Sequence, residues 1–329
     1  MTKQEVVQCI LAGRSNGAAA EASRFAPANI ALCKYWGKRD EMLNLPRTSS
    51  LSVSLESLGT HTRITPAGSD EILLNGDPVD SSTSFAGRIV EFLDLFRVNG
   101  QPAFHVETRN SVPTAAGLAS SASGFAALVL ALDGAFGWNL PPREASILAR
   151  LGSGSACRSV FCGFAEWHAG TASNGLDSFA ERLDADWPAL RLGILTVSSE
   201  QKALGSRAAM RQTVETSPLY ASWPETVAGD LPRLRAAIAQ RDLEEMGSVA
   251  EANALAMHAT MMGARPAILY WQPDSVTMME RVWAARADST PVYFTMDAGP
   301  NLKLLFEEGS AASVLERFPE AKVVAPFAD

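Results

Sequence analysis

A carboxylate that ends an apolar strand and precedes a short glycine turn can be aimed at a substrate, and Asp297, between Val292–Met296 and Ala298-Gly299, has that setting. An aspartate before glycine is equally an ordinary turn or helix cap. In Pro113-Thr114-Ala115-Ala116-Gly117-Leu118-Ala119-Ser120-Ser121-Ala122-Ser123-Gly124, glycine and small side chains expose backbone N–H groups at a helix start, where the dipole favours an anion. Neither the G-x-x-x-x-G-K-[ST] loop nor the Rossmann glycine pattern fits. The stretch therefore reads as an anion cradle for no particular nucleotide, or as a helix start packed against another helix. Arg158, amid Ser153-Gly154-Ser155 and Ser159, has a planar fork suited to carboxylate or phosphate; its plainer reading is a surface salt bridge. Lys34, Tyr35 and Lys38 form either an anionic-substrate pocket or a solvated charged loop, with Trp36 as a packed wall. The Asn110 amide suits an adenine edge or a turn cap. His61, His105, His168 and His258 lack metal-ligand spacing, and Cys157 and Cys162 lack a paired histidine, so a zinc site and a cysteine nucleophile are both disfavoured.

These groups need a scaffold, and 329 residues suffice for two modest domains burying roughly 75% of the extended surface. Hydrophobic residues at 47% against 19% charged exclude a disordered chain. A net charge of -8 without a dense basic tract argues against nucleic acid as a partner. Four scattered cysteines suggest a reducing cytoplasm, and no apolar stretch is long enough for a membrane span. Strands are expected at Arg24–Gly37, Ser50–Leu55, Thr60–Thr65 and Glu71–Leu74, with Asn75-Gly76 as a hairpin turn. In the Ser50–Leu55 strand, hydroxyls alternate with Leu51, Val53 and Leu55. A helix follows at Ser81–Phe96, carrying Phe85, Ile89, Phe92 and Phe96 near one side, then a strand at Phe104–Thr108. Gly117–Leu132 and the segment from Pro141-Pro142 read as helices, with helical geometry resuming at Ser155–Phe161. The second half carries strands at Leu190–Val197, Ile268–Trp271 and Val292–Met296, and helical patterns at Leu231–Met262 and Ser275–Arg286. The result is an α+β chain with an N-terminal extension (1–23) and domains over 24–188 and 189–329, divided near Asp184, Asp186 and Pro188.

Five ordered blocks carry a narrower resemblance. Ala26-Pro27-Ala28-Asn29-Ile30-Ala31 leads to Lys34-Tyr35-Trp36-Gly37-Lys38-Arg39-Asp40; Leu43-Asn44-Leu45-Pro46 leads to Ser49-Ser50-Leu51-Ser52-Val53. The glycine-rich stretch, Ser153-Gly154-Ser155-Ala156-Cys157-Arg158-Ser159 and Asp297-Ala298-Gly299-Pro300-Asn301 complete the set, which resembles the mevalonate diphosphate decarboxylase family. That family falls within the superfamily of galactokinase, homoserine kinase, mevalonate kinase and phosphomevalonate kinase. The resemblance implies a two-domain small-molecule kinase fold, with a ribosomal-protein-S5-domain-2-like N-terminal domain and a ferredoxin-like C-terminal domain. It implies that ATP, with Mg2+, phosphorylates the 3-hydroxyl of mevalonate 5-diphosphate, and that phosphate and carbon dioxide then leave to give isopentenyl diphosphate.

By the same resemblance Asp297, Arg158 and Lys34 are catalytic, and Tyr35, Lys38, Ser121, Ser153, Gly154, Ser155 and Met210 join Arg158 in holding substrate. Nucleotide contacts fall to Asn110, Pro113, Gly117, Leu118, Ala119, Ser120, Ser121 and Ser123, while protein ligands to the metal are unassigned. A homodimer is implied as well. Two departures stand out: Gly205-Ser206-Arg207-Ala208-Ala209-Met210 where the family usually has Ser-Ser-Thr-x-Gly-Met, and Thr48 before the serine pair, where Asn is usual. Arg207 would add a phosphate contact or point to solvent. The alternatives are a decarboxylase of mevalonate 5-phosphate, a mevalonate 3-kinase, and a silent sensor on the same fold.

Overall fold

The first sheet is built around one long strand. In the computed structural model, which describes residues 1–14, 17–97, 102–111, 120–200 and 202–327 and leaves the Ser120 side chain aside, the chain opens with helix α1 (Lys3–Ile10), started by a Thr2/Glu5 capping box. β1 (Ala22–Cys33), a β2–β3 hairpin (Lys38–Asp40, Leu45–Pro46) and the 18-residue β4 (Ser50–Ala67) follow. β4 therefore merges the two strands expected at Ser50–Leu55 and Thr60–Thr65. Its first half pairs with β8 (Phe164–Trp167) and its second with β7 (Ala103–Asn110), while β1 runs antiparallel along both. Between β4 and β7, β5 (Glu71–Leu74) turns through Asn75 and Gly76, both at positive φ, into β6 (Asp77–Pro78), as Asn-Gly predicts. Helix α2 (Ser84–Leu93), capped by Thr83, is shorter at both ends than expected. With α1, α3 (Ser120–Phe136) and α4 (Pro142–Gly152) it covers one face of the sheet. A 3-10 helix, Gly154–Val160, follows α4, and β9 (Ala180–Arg182) closes the sheet beside β8.

β10 (Leu190–Leu195) begins the second sheet. Helices α5 (Ser206–Thr216), α6 (Trp223–Gln240), α7 (Leu243–Met262) and α8 (Pro273–Ala287) come next, then β11 (Tyr293–Met296), β12 (Leu302–Glu307), α9 (Ala311–Arg317) and β13 (Lys322–Val324). The order β11-β12-β10-β13, antiparallel throughout, is ferredoxin-like. One core joins β1 and β4 of the first sheet to β10–β12 of the second through α5–α7; α8 and α9 close the far face with Phe294, Met296 and Phe306.

Two sequence expectations fail here. The helical pattern at Leu231–Met262 is two helices, because Arg241 takes a left-handed conformation and Asp242 caps α7 by accepting from Glu245 N–H. Ile268–Trp271 is irregular chain, not strand. It runs from a cis Arg265–Pro266 bond to Gln272, with Ile268 N–H bonded back to Met261 O. Both faces of β4 near Ser50 are buried as well, so the alternation of hydroxyls does not mark a solvent face. Ser50 accepts from Arg158, and Ser54 accepts from Gly163 N–H at 2.7 Å.

Candidate active site

The segment after β1 (Lys34–Gly37), the 3-10 helix and the β11–β12 turn meet between the sheets. Asp297, Lys34, Arg158, Tyr35, Lys38, Ser121, Ser153, Gly154, Ser155 and Met210 all line one cleft of about 190 Å³ there. Residues up to 263 positions apart in sequence converge in that volume. Ser206 and Arg207 line it too; exposed Arg207 donates to Gly152 O at 3.0 Å, and Thr48 is buried.

Alternation along β11 places Thr295, like Tyr293, on the α7 side of the sheet, and the chain leaves that strand directly into Asp297. The turn is fastened from three sides. His258 Nε2 donates to Asp297 O at 3.0 Å, Ser275 donates to Pro300 O at 2.8 Å, and Asn301 Oδ1 accepts from Val197 and Ser198 N–H. Asp297 Oδ1 lies 3.0 Å from Lys34 Nζ and Oδ2 lies 3.5 Å from Lys303 Nζ. Burial alone would raise this carboxyl, but the ammonium groups of Lys34 and Lys303 outweigh it and hold Asp297 well below the usual carboxylate range. Lys34 is itself only 2% exposed; burial draws it down to about 8 against the pull of Asp297. Its backbone N–H is held by Asn253 Oδ1 at 2.8 Å, and Asn253 is braced by Asp230 at 2.8 Å. His258 is buried and drawn down to about 4 by desolvation, hence neutral near pH 7.

Arg158 is 3% exposed, with its fork on Asn29 Oδ1 (3.2 and 3.4 Å) and on Ser50 Oγ. The Tyr35 hydroxyl is buried against the same cleft with no hydrogen-bond partner among the described residues, a donor awaiting an acceptor. A Cβ on Gly154 would come within 2.9 Å of the Tyr35 ring, so glycine permits this approach. Lys38 pairs with Glu41 at 2.8 Å. Burial pushes the Cys33 and Cys157 thiols up to about 12, consistent with no nucleophilic role.

A second, mainly apolar cavity of about 270 Å³ lies between α2 and α3 and strands β5 and β7, lined by Ile72, Phe85, Val106 and Phe125 among others. Phe85, on the apolar side of α2, stands at this cavity with 36% of its surface exposed. Asn110 reaches the cavity too and accepts from Thr60 Oγ1 at 2.7 Å. Ser121 lines both cavity and cleft. Ser123, expected as a nucleotide contact, is fully buried and bonds Thr60 Oγ1 at 2.7 Å, tying α3 to β4. Pro113, Gly117, Leu118 and Ala119 lie outside the described residues.

Lys303, Lys202, Asn29 and Asn253 were not singled out from sequence. The one legible signal among them is a lysine interrupting the apolar run of β12.

A two-domain α+β fold with an apolar cavity beside a cationic cleft has the architecture of the galactokinase, homoserine kinase and mevalonate kinase class. Residues 26–180 match the family described as diphosphomevalonate decarboxylase-like N-terminal domain, and 192–325 the mevalonate 5-diphosphate decarboxylase C-terminal domain. The chain belongs to the diphosphomevalonate decarboxylase family. It is 37% identical to diphosphomevalonate decarboxylase mvd1 of Aspergillus fumigatus over 91% of this chain and 80% of that protein. The mevalonate diphosphate decarboxylase of Staphylococcus aureus superposes with a TM-score of 0.87 at 36% identity, covering 93% of this chain and 95% of that one. A structure described as MDDEF in complex with MVAPP, AMPPCP and magnesium gives 0.86 at 40% identity, covering 94% and 97%.

Proposed function

We propose that this protein uses ATP to decarboxylate mevalonate 5-diphosphate, releasing isopentenyl diphosphate, ADP, phosphate and carbon dioxide. The observation that carries the reading is the Asp297–Lys34 pair at 3.0 Å in a cleft that meets the apolar cavity at Ser121. The base of ATP suits the apolar cavity, with Asn110 at its edge, and its phosphates would then run past Ser121 and the start of α3 toward the cleft.

A tertiary hydroxyl leaves poorly. Phosphorylated, it departs as phosphate with the C–O bond pair, while the C–C bond to the carboxylate breaks, its pair forming the new carbon–carbon double bond and the carboxylate leaving as carbon dioxide. Asp297 is too acidic to be a strong base; it orients the 3-hydroxyl and accepts its proton late, as the phosphoryl group arrives. Lys34 neutralises charge on the transferring group, and Arg158 holds the substrate carboxylate with its pre-aimed fork. Tyr35, Lys38, Ser153, Ser155 and Met210 complete the substrate walls. Among the described residues there is no cluster of three or more His, Cys, Asp or Glu side chains that could hold a metal; Mg2+ would be carried chiefly by phosphate oxygens and water. Bound there, magnesium would offset phosphate charge. Among the described residues no helix is long and apolar enough to cross a membrane. Assembly as a homodimer, residence in the cytoplasm and the domain division at residue 188 belong to the same proposal. Asp297→Asn tests the reading: ATP binding should persist while turnover falls by roughly a thousandfold or more, and near-normal turnover would remove Asp297 from its role.

A further inference from the structure

Lys303 sits within the apolar run Leu302–Phe306 of β12 and is 1% exposed. It pairs across the ladder with Thr295 and shares the face of Leu305 toward α7. A leucine or methionine would fill this place without the desolvation cost of an ammonium ion. Compensation for that cost is incomplete. Lys303 Nζ reaches Asp297 Oδ2 and Asn301 O, each at 3.5 Å, and it shares its one carboxylate with Lys34 on the other oxygen. Among the described residues neither lysine has a second carboxylate within ion-pair distance. Lys303 does not line the cleft, so its position suits it to act on Asp297 from behind and not on a ligand.

We propose that Lys303 is a positioning residue for this reaction, holding Asp297 Oδ2 so that Oδ1 stays turned to Lys34 and the substrate hydroxyl. The clamp gives each carboxylate oxygen its own cation, so rotation of the carboxylate breaks a contact on both sides. It also makes Lys34 sensitive to Lys303. The groups facing Lys34 are Asp297 and Lys303 from the β11–β12 hairpin and Arg158 from the 3-10 helix. His258 on α7 and Lys202 before α5 face the same carboxylate. Of these, Lys303 is a like charge that makes the Lys34 proton easier to lose.

The inference rests on the proposed role of Asp297, and two variants with a pH profile test it. In Lys303→Met, kcat should fall roughly ten- to hundredfold, with both KM values within about threefold of the unaltered protein and Tm not lowered. Lys303→Gln, which can still donate to Oδ2, should recover part of that loss. In both, the alkaline limb of kcat/KM should move to higher pH, because a charge opposing protonated Lys34 has gone. A kcat within about twofold of the unaltered protein in Lys303→Met would overturn the clamp, as would equal losses in both variants with an unmoved alkaline limb. If Asp297→Asn is inactive while Lys303→Met is normal, only the clamp fails. If Asp297→Asn turns over normally, the reading beneath it fails first.

Discussion

Replacing Lys34 with methionine removes the cation closest to Asp297 and keeps most of the side-chain volume. The lost attraction at 3.0 Å is about 5 kcal/mol at an effective dielectric of about 20. Solvent screening reduces it, since 33% of the Asp297 side chain is exposed, and Lys303 still faces the other oxygen. Against this stands the burial of Lys34 itself. Its pKa falls from 10.5 to about 8 on folding, so the unfolded chain binds more protons between those values and stability rises with pH across that window. Below pH 8 the folded state carries a net penalty of about 3 kcal/mol, in which the pull of Asp297 is already counted, and the methionine relieves it. The Ala31 carbonyl that accepts from Lys34 Nζ at 2.7 Å keeps a second donor, Thr295 Oγ1, at 3.3 Å. Stability at neutral pH should therefore fall by no more than about 2 kcal/mol, the cost of the hydrogen bonds that Lys34 makes. Loss of a cation facing the transferred phosphoryl group should lower kcat roughly 10²- to 10³-fold. Coupled assay of ADP release and thermal unfolding read the two effects separately, and in the unaltered protein kcat/KM should decline above about pH 8 as Lys34 loses its proton. A Lys34→Met protein within about threefold of normal kcat, or one that no longer folds, would refute this reasoning.

Two further outcomes follow from the same site. His258 is buried neutral with a folded pKa near 4 against an ordinary 6.5, so the unfolded state binds its proton first as pH falls and up to about 3 kcal/mol of stability is lost from 6.5 toward 4; His258→Gln, which can still donate to Asp297 O, should flatten that slope in denaturant titrations, and an unchanged slope would contradict it. Arg158→Lys keeps charge but loses the fork seated on Asn29 and Ser50, so KM for the phosphorylated mevalonate should rise about tenfold or more with KM for ATP little changed; equal changes in both would place Arg158 elsewhere.

Much of the scaffold is legible where local chemistry and packing agree. Asn75-Gly76 makes its hairpin, Pro142 opens α4, and the apolar strand before Asp297 is present. Reading fails where tertiary contacts override local pattern. Nothing in the helical periodicity near Arg241 announces a left-handed residue, and Ile268–Trp271 is branched and aromatic enough for a strand but joins neither sheet. The cleft residues are recognisable as blocks, yet their partners are not. Asn253 supports Lys34 from 219 positions away, and the tie from Ser123 to Thr60 joins residues 63 positions apart. Lys303 carries the plainest overlooked signal, a charge inside an apolar strand.

The most direct test is to supply ATP with mevalonate 5-diphosphate, its monophosphate or mevalonate, and to measure ADP, phosphate, carbon dioxide and the alkene product together. The diphosphate should give all four in equal amounts, with isopentenyl diphosphate as the alkene. ADP released without carbon dioxide would leave a kinase and contradict decarboxylation at Asp297.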